Sequence, residues 1–186
     1  MWIKRQDPYQ LIVGMTSVKL GDRFLQIGCA DGGRLAAIAA KVGLSGRAVA
    51  VVPDESAATR AQKGAARAGV LVEVELGPPT RLTADDASVD VAVLDDRGGL
   101  FSTMTPDDRT ATIRELARVV RPGGRAMIIG AAPREGLTAL LSRTPPPPSL
   151  AASGAANEAL AAGFRGVRTL AAREGLVFVE GIRPRG

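Results

Sequence analysis

Apolar positions in this chain alternate between two rhythms: short continuous runs, and longer stretches in which they recur every three or four residues. The first run is Phe24-Leu25-Gln26-Ile27, opened by Arg23 and followed by Gly28-Cys29-Ala30-Asp31-Gly32-Gly33. Such a run is too short for a helix and predicts a strand. Beyond the glycine-bearing turn, Leu35, Ala36, Ile38, Ala39 and Val42 share one helical face up to Gly43. Upstream, Leu11, Ile12, Met15 and Val18 have helical spacing over residues 9–19, and Leu20-Gly21-Asp22 makes a turn. Ala48 to Val52 is a second strand. Pro53-Asp54-Glu55-Ser56 opens a helix running to about Ala68 and stopping at Gly69, and Val70 to Leu76 is a third strand, closed by Gly77-Pro78-Pro79. Val89 to Leu94 is a fourth strand, ending in Asp95-Asp96-Arg97-Gly98-Gly99. Thr105-Pro106-Asp107-Asp108 predicts a capped helix over about 106–120. Arg121-Pro122-Gly123-Gly124 halts it before a fifth strand, Arg125 to Ile129. Residues 131–163 are less regular, with two short helices around the proline-rich Thr144 to Ser149. Gly166 to Leu170 and Leu176 to Gly181 predict a closing hairpin.

This order predicts an α/β fold: a doubly wound, Rossmann-like sheet, mostly parallel, with an antiparallel C-terminal hairpin and helices on both faces. A length of 186 residues suits one domain over 1–186, with residues 1–20 as an N-terminal arm and 131–160 as an irregular insert. Trp2, Ile3 and Tyr9 of the arm need burial, either capping the core or lying beside a ligand.

Composition then removes whole classes of chemistry. Hydrophobic residues at 46% and charged ones at 23% describe a globular chain, not a disordered one. The net charge of +5 favours anionic partners. Yet the arginines form no dense run and aromatics are only 3%, so nucleic acid is not expected as a partner. With no histidine, histidine triads, histidine metal sites and the usual general base are excluded. With Cys29 as the only cysteine, so are an internal disulfide and a thiolate zinc site, and no metal is expected. No stretch reaches the ~20 apolar residues of a membrane span, and the N-terminus has no signal-like apolar core, so a cytoplasmic location is expected. The sequence is compatible with a homo-oligomer.

Two places attract functional attention. A strand, a tight turn and a helix start form a cradle whose unpaired N–H groups and macrodipole suit an anionic or polar ligand edge, with Gly28 and Gly32 letting the backbone come close. Ordinary α/β packing uses the same features, so the turn alone leaves both readings open. Asp95 stands at the carboxyl end of the fourth strand, where open parallel sheets bind ligands, although adjacent acids in a turn are also ordinary solvated charges.

Three further motifs stand at matching intervals: Ser88-Val89-Asp90-Val91-Ala92-Val93-Leu94, then Glu115-Leu116-Ala117-Arg118-Val119-Val120-Arg121-Pro122-Gly123-Gly124-Arg125, then Ala162-Gly163-Phe164. With the glycine turn they make the chain, from about 20 to 183, resemble a class I S-adenosylmethionine-dependent methyltransferase of the type 11-like kind. The resemblance implies S-adenosylmethionine as cofactor and a small-molecule methyl acceptor. It places cofactor contacts at Gln26, Gly28, Ala30, Asp31 and Gly32, at Val52 and Asp54, at Gly77 and Pro78, and at Asp95. Four of these depart from the family pattern. Gln26 stands where the first strand usually ends in an acid, and Ala30 replaces the middle glycine. Val52 takes the place of the ribose-binding acid, and Pro78 stands near that of the adenine-facing aspartate. A lost carboxylate removes hydrogen bonds worth ~1.5–3 kcal/mol, about 10- to 100-fold in affinity. Asp54 either substitutes for Val52 or serves as an early-helix acid. Under this reading methyl transfer is an in-line displacement governed by positioning, with Asp95 as the orienting or proton-accepting group. Easily ionised acceptors are then favoured: a thiol, an acidic phenol, a carboxylate or a stabilised carbanion. The alternative is a catalytically inactive methyltransferase-like binding or partner protein. Gly130-Ala131-Ala132-Pro133 offers no side-chain oxygen after the fifth strand, so metal-dependent catechol-type chemistry is not implied.

Overall fold

The computed structural model describes residues 8–132 and 149–185. Expectations for the arm residues Trp2 and Ile3, for Pro133 and for the Thr144 to Pro148 stretch fall outside them. The described elements are α1 (Gln10–Thr16), β1 (Arg23–Ile27), α2 (Gly32–Val42), β2 (Arg47–Val52), α3 (Glu55–Ala68), β3 (Glu73–Leu76), β4 (Val89–Asp95), α4 (Pro106–Val119), β5 (Val120–Ala131), α5 (Leu150–Ser153), α6 (Ala155–Ala161), β6 (Arg165–Arg173) and β7 (Leu176–Ile182). They build a seven-stranded sheet in the order β3-β2-β1-β4-β5-β7-β6. β1 to β5 pair in parallel, and β7 runs antiparallel between β5 and β6.

The two-residue period of the strands separates two cores. Leu25, Ile27, Val49, Val51, Ala92 and Leu94 face α4, α5 and α6 through Ile113, Leu116, Ala156 and Leu160. Phe24, Ala50, Val52, Val91 and Val93 face α1, α2 and α3 through Ile12, Leu35, Ile38, Ala58 and Ala61. Helix starts follow their caps. Asp31 accepts from the amides of Gly33 and Arg34, Asp54 from that of Ala57, and Thr105 from that of Asp108. Asp31, read above as a cofactor contact, is therefore first the N-cap of α2.

Two strand limits differ from the sequence reading. β3 begins at Glu73 because Val70 still serves the end of α3, its N–H donating to the Ala65 carbonyl at 3.1 Å. β5 begins at Val120, not after Gly124, because the Pro-Gly-Gly turn is absorbed as an irregularity of the strand. Val89 pairs with Val120 and Val91 with Arg125, while Gly123 and Gly124 exchange backbone hydrogen bonds with Arg183. The 77–88 connection carries no helix. It is held by Arg118, whose guanidinium donates to the carbonyls of Leu82 and Ala84 and to Glu115 and Asp86. At the β3 edge, Arg47 donates from two nitrogens to Glu73, at 2.8 and 2.6 Å.

Candidate functional site

The carboxyl ends of β1 and β4 meet at Gly28 and Asp95. Gly28 adopts φ +79°, and a Cβ there would lie 2.9 Å from Leu100 Cδ2 and 3.0 Å from the Asp95 carbonyl oxygen. Only glycine takes that conformation in that space. A cavity of about 160 Å³ opens beside it, lined by Gly28, Ala30, Asp54, Arg60, Asp95 and Leu100 among others.

The period of two sends the adjacent acids to opposite faces of the sheet. Asp95 points to the side of α2. Its Oδ2 accepts from the Ala30 amide at 2.9 Å, and its Oδ1 from the Arg97 amide at 3.2 Å. Asp96 turns under the following loop, where its carboxylate accepts from the amides of Phe101 and Ser102 and from the Ser102 hydroxyl. Burial pushes the Asp95 carboxyl up to about 6, against the hydrogen bond from Ala30 and the charge of Arg34. The expected acid-base candidate thus has a proton affinity closer to neutrality than an exposed aspartate. Burial also pushes the Cys29 thiol up to about 11, helped by the charge of Asp95, so the lone cysteine is a thiol and not a nucleophile at neutral pH.

Of the positions singled out from sequence, Gly28, Ala30, Asp54 and Asp95 come together around the cavity. The others do not line it. Gln26 is buried at 3% exposure and donates from Nε2 to the Gly28 carbonyl at 2.9 Å, holding the turn from beneath. Val52 is fully buried in the core. Gly77 ends β3, its amide donating to the Val52 carbonyl, and the Pro78 carbonyl accepts from Arg81. Asp31 and Gly32 face instead a groove of about 580 Å³ between α2 and α3. The expected close approach of Gly32 is to the neighbouring helix: a Cβ there would lie 2.0 Å from the Arg60 carbonyl oxygen, and Gly64 is packed against Gly32 in return. That is helix packing, which accounts for the glycine without a ligand.

Arg60 is the polar residue that sequence reasoning missed. It donates from Nε to the Cys29 carbonyl at 2.9 Å and from Nη1 to Ser56 Oγ at 2.7 Å, forming one wall of the cavity. Its signal was helical phase, since it stands one turn beyond Ser56 and Ala57 on the face that α3 turns to the glycine loop.

Two carboxylates, a guanidinium and a glycine backbone turn around one cavity suit a ligand with hydroxyls and charges of both signs. S-adenosylmethionine is such a molecule, and the donor set fits it on the Asp54 and Asp95 sides. Asp54 uses Oδ1 as the α3 cap, at 2.8 Å from the Ala57 amide, and Oδ2 takes no part in that cap. A cavity of about 280 Å³ lies at the opposite end of the sheet, among Arg23, Arg47, Glu75 and Ser88, away from the strand carboxyl ends that bind ligands in this architecture.

A family profile described as "Methyltransferase domain" matches residues 24–124. Among curated proteins, the 27-O-demethylrifamycin SV methyltransferase of Amycolatopsis mediterranei is 36% identical over 116 residues, covering 61% of this chain and 40% of that protein. The chain thus matches about two fifths of that relative's length. Among solved structures, a SAM-dependent methyltransferase from Aquifex aeolicus superposes with a TM-score of 0.72 at 22% identity, covering 95% of this chain and 89% of the other. The [4+2]-cyclase SpnF superposes with a TM-score of 0.67 at 15% identity, covering 96% and 80%. At those identities the likeness concerns the fold.

Proposed function

We propose, from the premise that this chain belongs to the class I S-adenosylmethionine-dependent methyltransferases, that it methylates a small-molecule acceptor at the carboxyl ends of β1 and β4. When bound, the cofactor supplies an electrophilic methyl group on a sulfonium. The observation that carries the reading is the convergence of Asp54, Arg60 and Asp95 on the cavity beside Gly28. Asp54 offers its second carboxylate oxygen to ribose hydroxyls in place of the acid lost at Val52. The Gly28 turn, propped by Gln26, brings main chain against the ligand. Asp95 orients the polar end of the cofactor or accepts the acceptor's proton, for which its raised proton affinity suits it. The acceptor named for the Amycolatopsis relative, a demethylrifamycin, is a small molecule, which supports that class of substrate here.

One observation favours a second reading, a non-catalytic methyltransferase-like binding module. A volume of about 160 Å³ falls below the ~300 Å³ at which small-molecule pockets usually begin. Calorimetric titration with S-adenosylhomocysteine, followed by labelled-methyl transfer to a panel of phenols, thiols and carboxylic acids, decides between them. Binding about 10- to 100-fold weaker than a site that keeps an adenine-facing carboxylate near Pro78, and label in the ionisable acceptors, is the expected result. No heat and no thermal shift at millimolar ligand sinks the enzyme reading.

A further inference from the structure

The groove between α2 and α3 holds about 580 Å³, a volume at which small-molecule pockets are found, and no role argued above occupies it. Its two walls differ. The α2 wall and the floor are short and apolar: Gly33, Ala36, Ala37 and Ala40 face Gly64 and Ala68 of α3. Tyr9 closes one end, its hydroxyl lying where a side chain on Gly33 would stand. The α3 wall is cationic. Arg60, Lys63 and Arg67 follow one another at intervals of three and four residues, which puts them on one helical face along the groove.

Nothing in the fold balances that wall. The acid of α3, Glu55, stands more than a turn before Arg60, and Lys63 and Arg67 repel each other across one turn, which lowers helix stability. Elsewhere Arg23, Arg47, Arg118, Arg121 and Arg168 all meet carboxylates, whereas among the described residues Arg60, Lys63 and Arg67 meet none. Arg60 is held only by neutral groups, the Cys29 carbonyl and the Ser56 hydroxyl. The one acid lining the groove, Asp31, is the α2 cap and already faces Arg34 at 3.7 Å. Three cations against one acid leave two positive charges over an apolar floor. Arg60 to Arg67 spans about 10 Å of helix, and Gly33 to Ala40 about the same on the facing wall.

We propose that the α2–α3 groove binds an elongated apolar dianion, of the chemical class of a long-chain dicarboxylate. Its body lies on the alanine floor, one carboxylate meets Lys63 and Arg67, and the other meets Arg60, whose planar fork suits a carboxylate. Ala30 and Arg60 line both this groove and the cavity beside Gly28, so an occupant lies against a wall of the candidate cofactor site. The inference stands on the groove alone and does not require methyl transfer.

Calorimetric titration of the full chain at low ionic strength, with sebacate, decanoate and dimethyl sebacate as probes, tests it. Sebacate is expected to bind about tenfold tighter than decanoate, which has one charged end, and dimethyl sebacate, which has none, not to bind. Lys63→Gln combined with Arg67→Gln is expected to weaken sebacate about tenfold. Ala37→Leu, which keeps every charge and fills the floor, is expected to weaken it as much, and should that variant not fold, Ala40→Leu at an exposed position of the floor takes its place. Lys41→Gln, an exposed cation of α2 outside the groove, leaves sebacate binding unchanged. Sebacate that binds no tighter than decanoate or its own ester, or that is indifferent to the Lys63 and Arg67 changes, overturns the inference. So does self-association of the native chain that Ala37→Leu abolishes, which would give the groove to a second copy.

Discussion

The two halves of the candidate site differ in what their polar groups are doing. On the side of β1 and β2, nearly everything is engaged within the chain: Gln26 holds the Gly28 carbonyl, Asp31 and Asp54 cap helices, and Gly32 serves the contact with α3. On the side of β4, Asp95 is buried at 7% exposure with a raised proton affinity, and Arg97 keeps a buried nitrogen without a hydrogen-bond acceptor. The first half is engaged mostly within the chain, with the second oxygen of Asp54 outside the helix cap, and contributes mainly to stability. The second carries unmet polar demand, which is the usual signature of a place where something binds.

The contrast breaks most violently at Gly32. With the Arg60 carbonyl oxygen 2.0 Å from any Cβ, Gly32→Val forces α2 and α3 apart and is expected to cost more than about 4 kcal/mol, or to prevent folding. Urea denaturation reads this directly. A folded variant that has merely lost ligand affinity would return Gly32 to the binding machinery. The next effect belongs to Asp96, which organises the loop through two amides and a hydroxyl. Asp96→Ala should cost about 3 kcal/mol, and a loss under about 1 kcal/mol would show that the loop holds itself.

The smallest effect has the opposite sign and comes from the adjacent acid. The Asp95 carboxyl rises from 3.8 to about 6 on folding, chiefly through burial. Between those values the folded chain keeps a proton that the unfolded chain has released, so this contribution declines as pH rises through the window and levels off above it. Asp95→Asn should therefore be more stable than the parent by about 2–3 kcal/mol at pH 7.5 and no different below pH 4. Equal stabilities at both pH values would contradict the burial that gives Asp95 its character.

Much of the scaffold was legible because its signals are local. β1 was expected to begin at Arg23, α3 to stop at Gly69 and α4 to start at Pro106, and caps, glycines and strand-length apolar runs put them there. The parallel sheet with a closing hairpin followed from their order. Signals that depend on the partner were not legible. Whether Pro122-Gly123-Gly124 separates two elements or lies inside one is settled by Arg183, sixty residues later. The Gly32 and Gly64 contact joins two helices, and nothing near either glycine announces the other. Asp95 and Asp96 are neighbours of the same type, and only the strand's period assigns one to the cavity and the other to a loop. Arg60 was lost among many scattered arginines, since a guanidinium's role depends on which acceptors the fold leaves within its reach.

A sheet that is open at both ends can recruit further chains, one row of unpaired main-chain groups at a time. Here the two margins are unequally guarded. β3 is four residues long and carries Glu73 and Glu75, the first of them drawn inward by Arg47, whereas β6 is nine residues long and carries Arg165, Arg168 and Arg173. Two copies meeting by like margins bring like charges together. Pairing of like margins is thus discouraged, at one by brevity and acid and at the other by base, a colloidal safeguard written into the same residues that finish the fold.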